Sequence, residues 1–221
     1  RNCWAGGAAG SAAYLVGVFG PAFIEVLLAR LRHAGKGVLD TRSVLCGEDA
    51  DLAAAPDAAE TVRHADADAF LFFSPDGNEA INELPKSRDH LKAGADIVIA
   101  SRMMAGAYNE EDAQFLKFRK WANNAFNIAA NIQFRRKGPF VTDSINGYRA
   151  ITKEAARTLE LDASDYTIEY QMTMRAMKKR LNIVEFSTHE GERVAGETGG
   201  PSIPTGLRFT RALFQEVLHW R

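Results

Sequence analysis

The chain has 221 residues, with 27 basic against 28 acidic side chains and a formal net charge of −1. That length supplies a real core for one α/β domain, or for one domain with an appendage, and the balanced charge gives no field of the kind that draws nucleic acid. The two cysteines, Cys3 and Cys46, stand far apart and outside any metal-ligand spacing, so the expectation is a reducing compartment and no disulfide framework.

The first residue is Arg1, which leads us to expect a fragment or a processed chain. No run of about 18 apolar residues occurs, so no spanning helix is expected. The nearest stretch, residues 12–28, is interrupted by Gly17, Gly20, Pro21 and Glu25. Residues 1–60 are rich in Ala and Gly, with helices expected over 23–31 and over 51–64, where Pro56 lies near the start.

From Asp68 the signals sharpen. Residues 69–73 form a short apolar run that ends at Ser74-Pro75-Asp76-Gly77-Asn78, a buried strand and turn of the kind found in a parallel sheet covered on both faces. A helix over 83–93, stopped by Gly94, and a second buried strand over 96–100 complete a unit of βαβ length. The spacing of Phe115, Phe118, Ala122, Ala125, Phe126, Ala129 and Ile132 predicts a helix over 111–132 with these residues on its apolar face. Lys117, Lys120, Asn124, Asn127 and Asn131 fall on the opposite side. A basic loop (Arg135, Arg136, Lys137) and a turn-rich stretch over 142–147 follow. Then come a short strand over 148–151, helices over 153–159 and 167–179, a closing strand over 181–186, a loop over 191–204 and a last helix over 205–220. Met172, Met174 and Met177 are expected in helix packing. The architecture is α/β, with a mixed sheet and helices on both faces.

In such sheets ligands bind beyond the carboxyl ends of the strands. The first strand delivers Asp76 and Asn78 to that edge, and the second delivers Ser101 and Arg102. A carboxylate with an amide oxygen two residues on suits a hard divalent cation that takes its other oxygens from phosphates. An Arg at the neighbouring strand end suits phosphate. Pro75-Asp76-Gly77-Asn78 also reads as a plain turn, Asp143 as an Asx-turn residue and Glu169 as a solvated helix residue.

Taken together, these segments resemble the family-two glycosyltransferases of GT-A fold, and among them the polyprenyl-phosphate mannose and glucose synthases. Residues 72–78 are similar to the strand and DxD segment, with Ser74 in place of the first Asp, and residues 94–102 resemble the next strand, ending in Ser-Arg. Asp143-Ser144-Ile145-Asn146-Gly147-Tyr148-Arg149 is similar to the D-x-x-x-G-F-R segment, and Glu169 falls in a helix that carries a Glu in the family. Residues 183–186 and then 193–198, opening with Arg193, resemble the following strand and R-x-x-G-x-S loop. The resemblance implies a Rossmann-related catalytic core over 61–204, preceded by an altered or truncated nucleotide-binding portion over 1–60 and followed by an amphipathic helix over 205–221. It implies transfer of a sugar from a UDP- or GDP-sugar to a lipid (polyprenyl) phosphate, with inversion and with Mg2+ or Mn2+ held by Asp76, Asn78 and Ser74. It also implies that Arg102, Arg193, Ser101 and Glu169 bind substrate, and that Asp143 sits with Arg102 at the reacting groups. The expected location is cytoplasmic, peripheral at the membrane face. Two other readings stay open: a non-catalytic member of the fold serving as a binding subunit, and a nucleotidyltransferase, which would want a Gly-rich, basic loop that the sequence does not show.

Overall fold

The computed structural model describes residues 8–9, 12–13, 68–72, 79–108, 118–163, 167–191 and 202–219. Two short strands, β1 (Ala8–Ala9) and β2 (Ala12–Ala13), pair antiparallel. The helices expected over 23–31 and 51–64 lie outside the described residues, as do Ser74, Asp76, Asn78 and Arg193.

The main sheet comprises β3 (Ala69–Phe72), β4 (Ile97–Ser101), β5 (Arg149–Thr152) and β6 (Ile183–Ser187), in the order β3-β5-β4-β6. Between β3 and β4 the chain forms a 3-10 turn (Ile81–Glu83) and α1 (Leu84–Lys92). Gly94 ends α1 with φ +96, donating to the Leu91 carbonyl at 3.0 Å; a residue without Cβ adopts that backbone without strain. The expected βαβ unit is present, with a correction. β5 lies antiparallel between β3 and β4, and among the described strands of this sheet only the β4–β6 pair is parallel. Short apolar runs report burial on both faces and say nothing of strand direction.

Successive side chains alternate between the faces of a sheet. Phe70, Ile151, Ile97 and Ile183 therefore form one row across the four strands. That face packs on α2 (Phe118–Phe134), α3 (Lys153–Leu159), α4 (Ile168–Lys179) and α5 (Ser202–Leu218). Leu71, Val98, Ala100 and Ala150 turn to the other face, which is covered by α1. There Phe186 stacks near His90, with Tyr148 edge-on to it. Helices thus cover both faces, in a mixed α/β architecture consistent with a GT-A-like fold. Met172, Met174 and Met177 pack in the core as expected.

Helix α2 corrects the sequence reading of its faces. Its buried side carries Asn127, Ala130, Asn131 and Phe134, whereas Ala122, Ala125 and Ile132 are exposed. The apolar spacing located the helix, and Phe126 packs against the core, but Asn127 and Asn131 of the polar side also face inward, where a buried loop needs hydrogen-bonding partners. A second correction concerns α5, which begins at Ser202, ahead of Pro204. Proline in a first helical turn gives up an N–H that has no intrahelical partner.

Helix α5 is fastened to α4 by one buried carboxylate. Glu216 accepts from Arg175 Nε at 2.8 Å, Lys178 Nζ at 2.6 Å and Gln171 Nε2 at 3.2 Å. Losing one partner of a buried ion pair strands the other, which costs about 3 kcal/mol or more. Glu216→Ala is therefore expected to lower unfolding free energy by about 3 kcal/mol in a urea titration. A loss within about 0.5 kcal/mol of zero would show that α5 is held by apolar packing alone.

Candidate active site

The carboxyl ends of β3, β4 and β6 and the start of β5 share one edge of the sheet, where Phe72, Arg149, Ile99 and Glu185 lie in register. Two of those four are charged, and both point to the face that carries α2 and α4. Above them passes the segment 141–146, which has no regular secondary structure and is largely buried. Buried backbone amides must find partners, and here side chains supply them one after another.

The Asn131 amide acts as a strand partner for Val141, accepting from its N–H at 2.9 Å and donating to its carbonyl at 2.8 Å. Glu185 accepts from the N–H of Thr142 at 2.7 Å and of Asp143 at 2.9 Å, and from the Thr142 hydroxyl at 3.0 Å. Asn127 accepts from the Ser144 N–H at 2.8 Å and donates to the Thr142 carbonyl at 2.6 Å. Four consecutive N–H groups are thus held by three side chains. From below, the fully buried Arg149 donates to the carbonyls of Asn146 and Glu169 at 2.8 Å each and to Thr173 Oγ1 at 3.0 Å. Asn146 Nδ2 donates to the Ala100 carbonyl at 2.6 Å, tying the loop to β4.

This cradle holds Asp143, which is fully buried. Its Oδ2 accepts from Arg102 Nε at 2.8 Å and from the Arg102 backbone N–H at 3.1 Å, while Oδ1 accepts from Arg102 Nη2 at 3.2 Å and the Asn146 N–H at 3.1 Å. Arg102 Nη1 also faces Glu190 at 3.6 Å. Burial by itself raises the Asp143 carboxyl, but the Arg102 charge, its hydrogen bonds and the nearby Arg149 charge outweigh that and hold it below the usual carboxylate range. Glu185 goes the other way. Burial pushes it up, helped by the Asp143 charge and opposed by the bonds from Thr142 and Asp143.

The structure therefore brings Asp143, Arg102 and Ser101 together. Ser101 is fully buried, its hydroxyl 2.6 Å from that of Thr142 and accepting from the Met103 N–H at 3.2 Å, so it braces the loop. Arg102 is committed to two carboxylates, with its side chain 14 % exposed. Glu169, which on a helix also reads from sequence as a solvated residue, is instead buried, and its carboxylate lies 3.9 Å from where a Cβ on Gly147 would stand. Glu190, Glu185, Asn127 and Asn131 were missed. The i, i+4 spacing of the two asparagines and the charge within an otherwise apolar strand were their only signals. Among the described residues, no group of three or more His, Cys, Asp or Glu is placed to hold a metal.

No family model matches the chain. Two curated proteins are similar to it in sequence. Polyprenol monophosphomannose synthase of Mycolicibacterium smegmatis is 29% identical over 149 residues, which is 66% of this chain and 52% of that protein. Undecaprenyl-phosphate mannosyltransferase of Micrococcus luteus is 28% identical over 135 residues, 59% of this chain and 52% of that protein. The chain is similar in sequence to both proteins. It spans about half the length of the curated relatives it matches.

The two carboxyls give opposite pH signatures. Asp143 is depressed in the fold, so its contribution to stability is present above about pH 4 and is lost as pH falls below it. Glu185 is raised, so the folded state holds its proton longer, and stability declines as pH rises from about 4 through its folded value. In unfolding titrations across pH, Asp143→Asn is expected to flatten the loss on the acid side, and Glu185→Gln to remove the decline above it. Glu185→Gln also turns an amide donor toward a backbone N–H, at a cost of about 2 kcal/mol. Unchanged pH profiles would show that neither carboxyl is coupled to the fold as described.

Proposed function

We propose that this chain is a glycosyltransferase that moves a sugar from a nucleotide diphosphate sugar to a polyprenyl phosphate. The observation that carries the reading is the Asp143–Arg102 pair at the sheet edge, in a chain similar to two proteins named as a polyprenol monophosphomannose synthase and an undecaprenyl-phosphate mannosyltransferase. A carboxyl held below its usual range is a poor proton acceptor. That suits an acceptor already anionic at neutral pH, which a phosphate is and a sugar hydroxyl is not. An oxygen lone pair of the acceptor phosphate attacks the anomeric carbon from the side opposite the leaving group. The bond from that carbon to the diphosphate oxygen breaks, its electron pair departs with the nucleoside diphosphate, and the configuration inverts.

In this reading Asp143 stays ionised and fixes the Arg102 guanidinium by two-point bonding. A phosphate oxygen competes with Glu190 for Arg102 Nη1, the longer of its ion pairs. Ser74, Asp76 and Asn78 follow β3 in sequence, and their hydroxyl, carboxylate and amide oxygens are hard donors that fit Mg2+ or Mn2+ while leaving positions for phosphate oxygens. When bound, such an ion neutralises charge on the departing diphosphate. Arg193 is a further phosphate-binding candidate from the sequence. The donor is a UDP- or GDP-sugar and the location peripheral at the cytoplasmic membrane face; no helix among the described residues is long and apolar enough to cross a membrane.

Thermal unfolding with UDP, GDP and their mannose and glucose derivatives, each with Mn2+ or chelator, tests the donor site. One nucleotide at a hundred times its Kd is expected to stabilise by about 2.7 kcal/mol in the presence of metal, and Asp76→Ala should abolish that gain without lowering the ligand-free midpoint. No shift with any nucleotide would favour the non-catalytic binding subunit. Where transfer to undecaprenyl phosphate is measured, Asp143→Asn is expected to lower kcat/KM about a hundredfold or more, in line with loss of one preorganised electrostatic group. An Asp143→Asn enzyme of full activity would remove the pair from the mechanism.

A further inference from the structure

Among the described residues, every exposed large hydrophobic side chain lies in α2, in the loop after it, or in α5. Trp121 (58% exposed), Ile128 and Ile132 (75% exposed) follow one another at steps of seven and four along α2, on the side opposite the buried Phe134 and Ala130. The loop then presents Arg135, Arg136 and Lys137, all exposed, and Phe140. On α5, Leu207, Phe214 and Leu218 repeat the same spacing, with Arg208 and Arg211 among them. The two helices are neighbours, with Phe126 and Phe209 in ring contact at 5.5 Å.

Charge singles out the same segments. Five basic and no acidic residues lie between 118 and 142, while α5 holds two basic residues and one acidic, giving these segments a net +6 in a chain whose total is −1. The one acid is Glu216, buried and bonded to Arg175 and Lys178. Apolar stripes flanked by arginine and lysine, with no exposed acid, complement the surface of a bilayer that contains anionic lipid. They do not complement a second copy of the chain. A two-fold contact through this face would set its basic groups against their own copies.

We propose that the outer side of α2, the basic loop after it and the exposed side of α5 form a docking surface for an anionic lipid bilayer. The inference deepens the lipid-acceptor reading and rests on it for its purpose, since a polyprenyl phosphate must be met at a membrane. The surface would sit on helices that also carry the active site: Asn127 and Asn131 hold the Asp143 loop from the inner side of α2.

The full chain is sedimented with vesicles of phosphatidylcholine alone and of phosphatidylcholine mixed with phosphatidylglycerol, with no nucleotide and no polyprenyl lipid present. The expected result is binding to the anionic vesicles only, weakened by salt. Ile128→Asp/Ile132→Asp and Arg135→Glu/Arg136→Glu/Lys137→Glu should each lower the bound-to-free ratio at least tenfold with unchanged thermal unfolding, since the replaced side chains are exposed. Lys92→Glu, at the end of α1 on the other face of the sheet, should leave it unchanged. Full binding by the aspartate variant, or an equal loss in Lys92→Glu, would overturn the proposal. So would a dimer in gel filtration that the aspartate variant dissolves, because the face would then join two copies. Since no substrate is present, a chain that docks but transfers no sugar sinks only the functional reading, and one that transfers a soluble short-chain acceptor without docking sinks only this one.

Discussion

Six residues, 141–146, cross the interior of this protein without helix or strand to pair their backbone. In water those amides would be solvated, but here each must be satisfied by the protein or cost the fold a desolvated donor. Asn127, Asn131 and Glu185 meet the N–H groups of Val141 through Ser144, and Arg149 gathers the carbonyls below. Much else follows from this requirement. It explains why α2 turns asparagines inward, why a central strand carries a buried arginine, and why β6 places a glutamate on an otherwise apolar face.

The same constraint fixes the electrostatics of the site. Glu185 and Arg149 lie in one row on either side of Ile99, so a half-buried carboxyl and a buried guanidinium lie within two strands of each other. Asp143 sits above them and takes its own cation from Arg102. Its charge is stabilised by fixed partners, whereas Glu185 bears the burden of burial and of a like-charged neighbour. Pairs of carboxyls driven in opposite directions mark places where an enzyme separates roles. Here one carboxylate faces the proposed chemistry and the other holds the loop that carries it.

Helices α2 and α5 divide their surfaces in a similar way. Each turns polar groups inward, Asn127 and Asn131 in one and Glu216 in the other, where they make structural bonds. Each turns large apolar groups outward, among them Trp121 and Leu218. Since Phe134 and Phe209 also pack inward, both helices carry apolar groups on two sides, unlike the usual amphipathic arrangement. It makes sense if the outer side has a partner of its own and the inner side has a loop to satisfy.

Local sequence was enough to place most elements within one or two residues. Strands such as residues 97–101 are continuous apolar runs, and α1 is bounded by a proline in its first turn and a glycine after its end. The segments around Arg102 and Asp143 were legible too, because their residue types and order match a known pattern. Sheet order was not, since the placement of β5 between β3 and β4 depends on pairings about 50 to 80 residues apart in the chain. Nor were the roles of Asn127, Asn131, Glu185 and Glu190, because a polar residue in a periodic segment signals solvent until the fold shows what it faces. Periodicity records where apolar groups recur; only tertiary packing decides which side of a helix is inside, and along α2 one buried loop draws Asn127 and Asn131 inward beside Ala130 and Phe134.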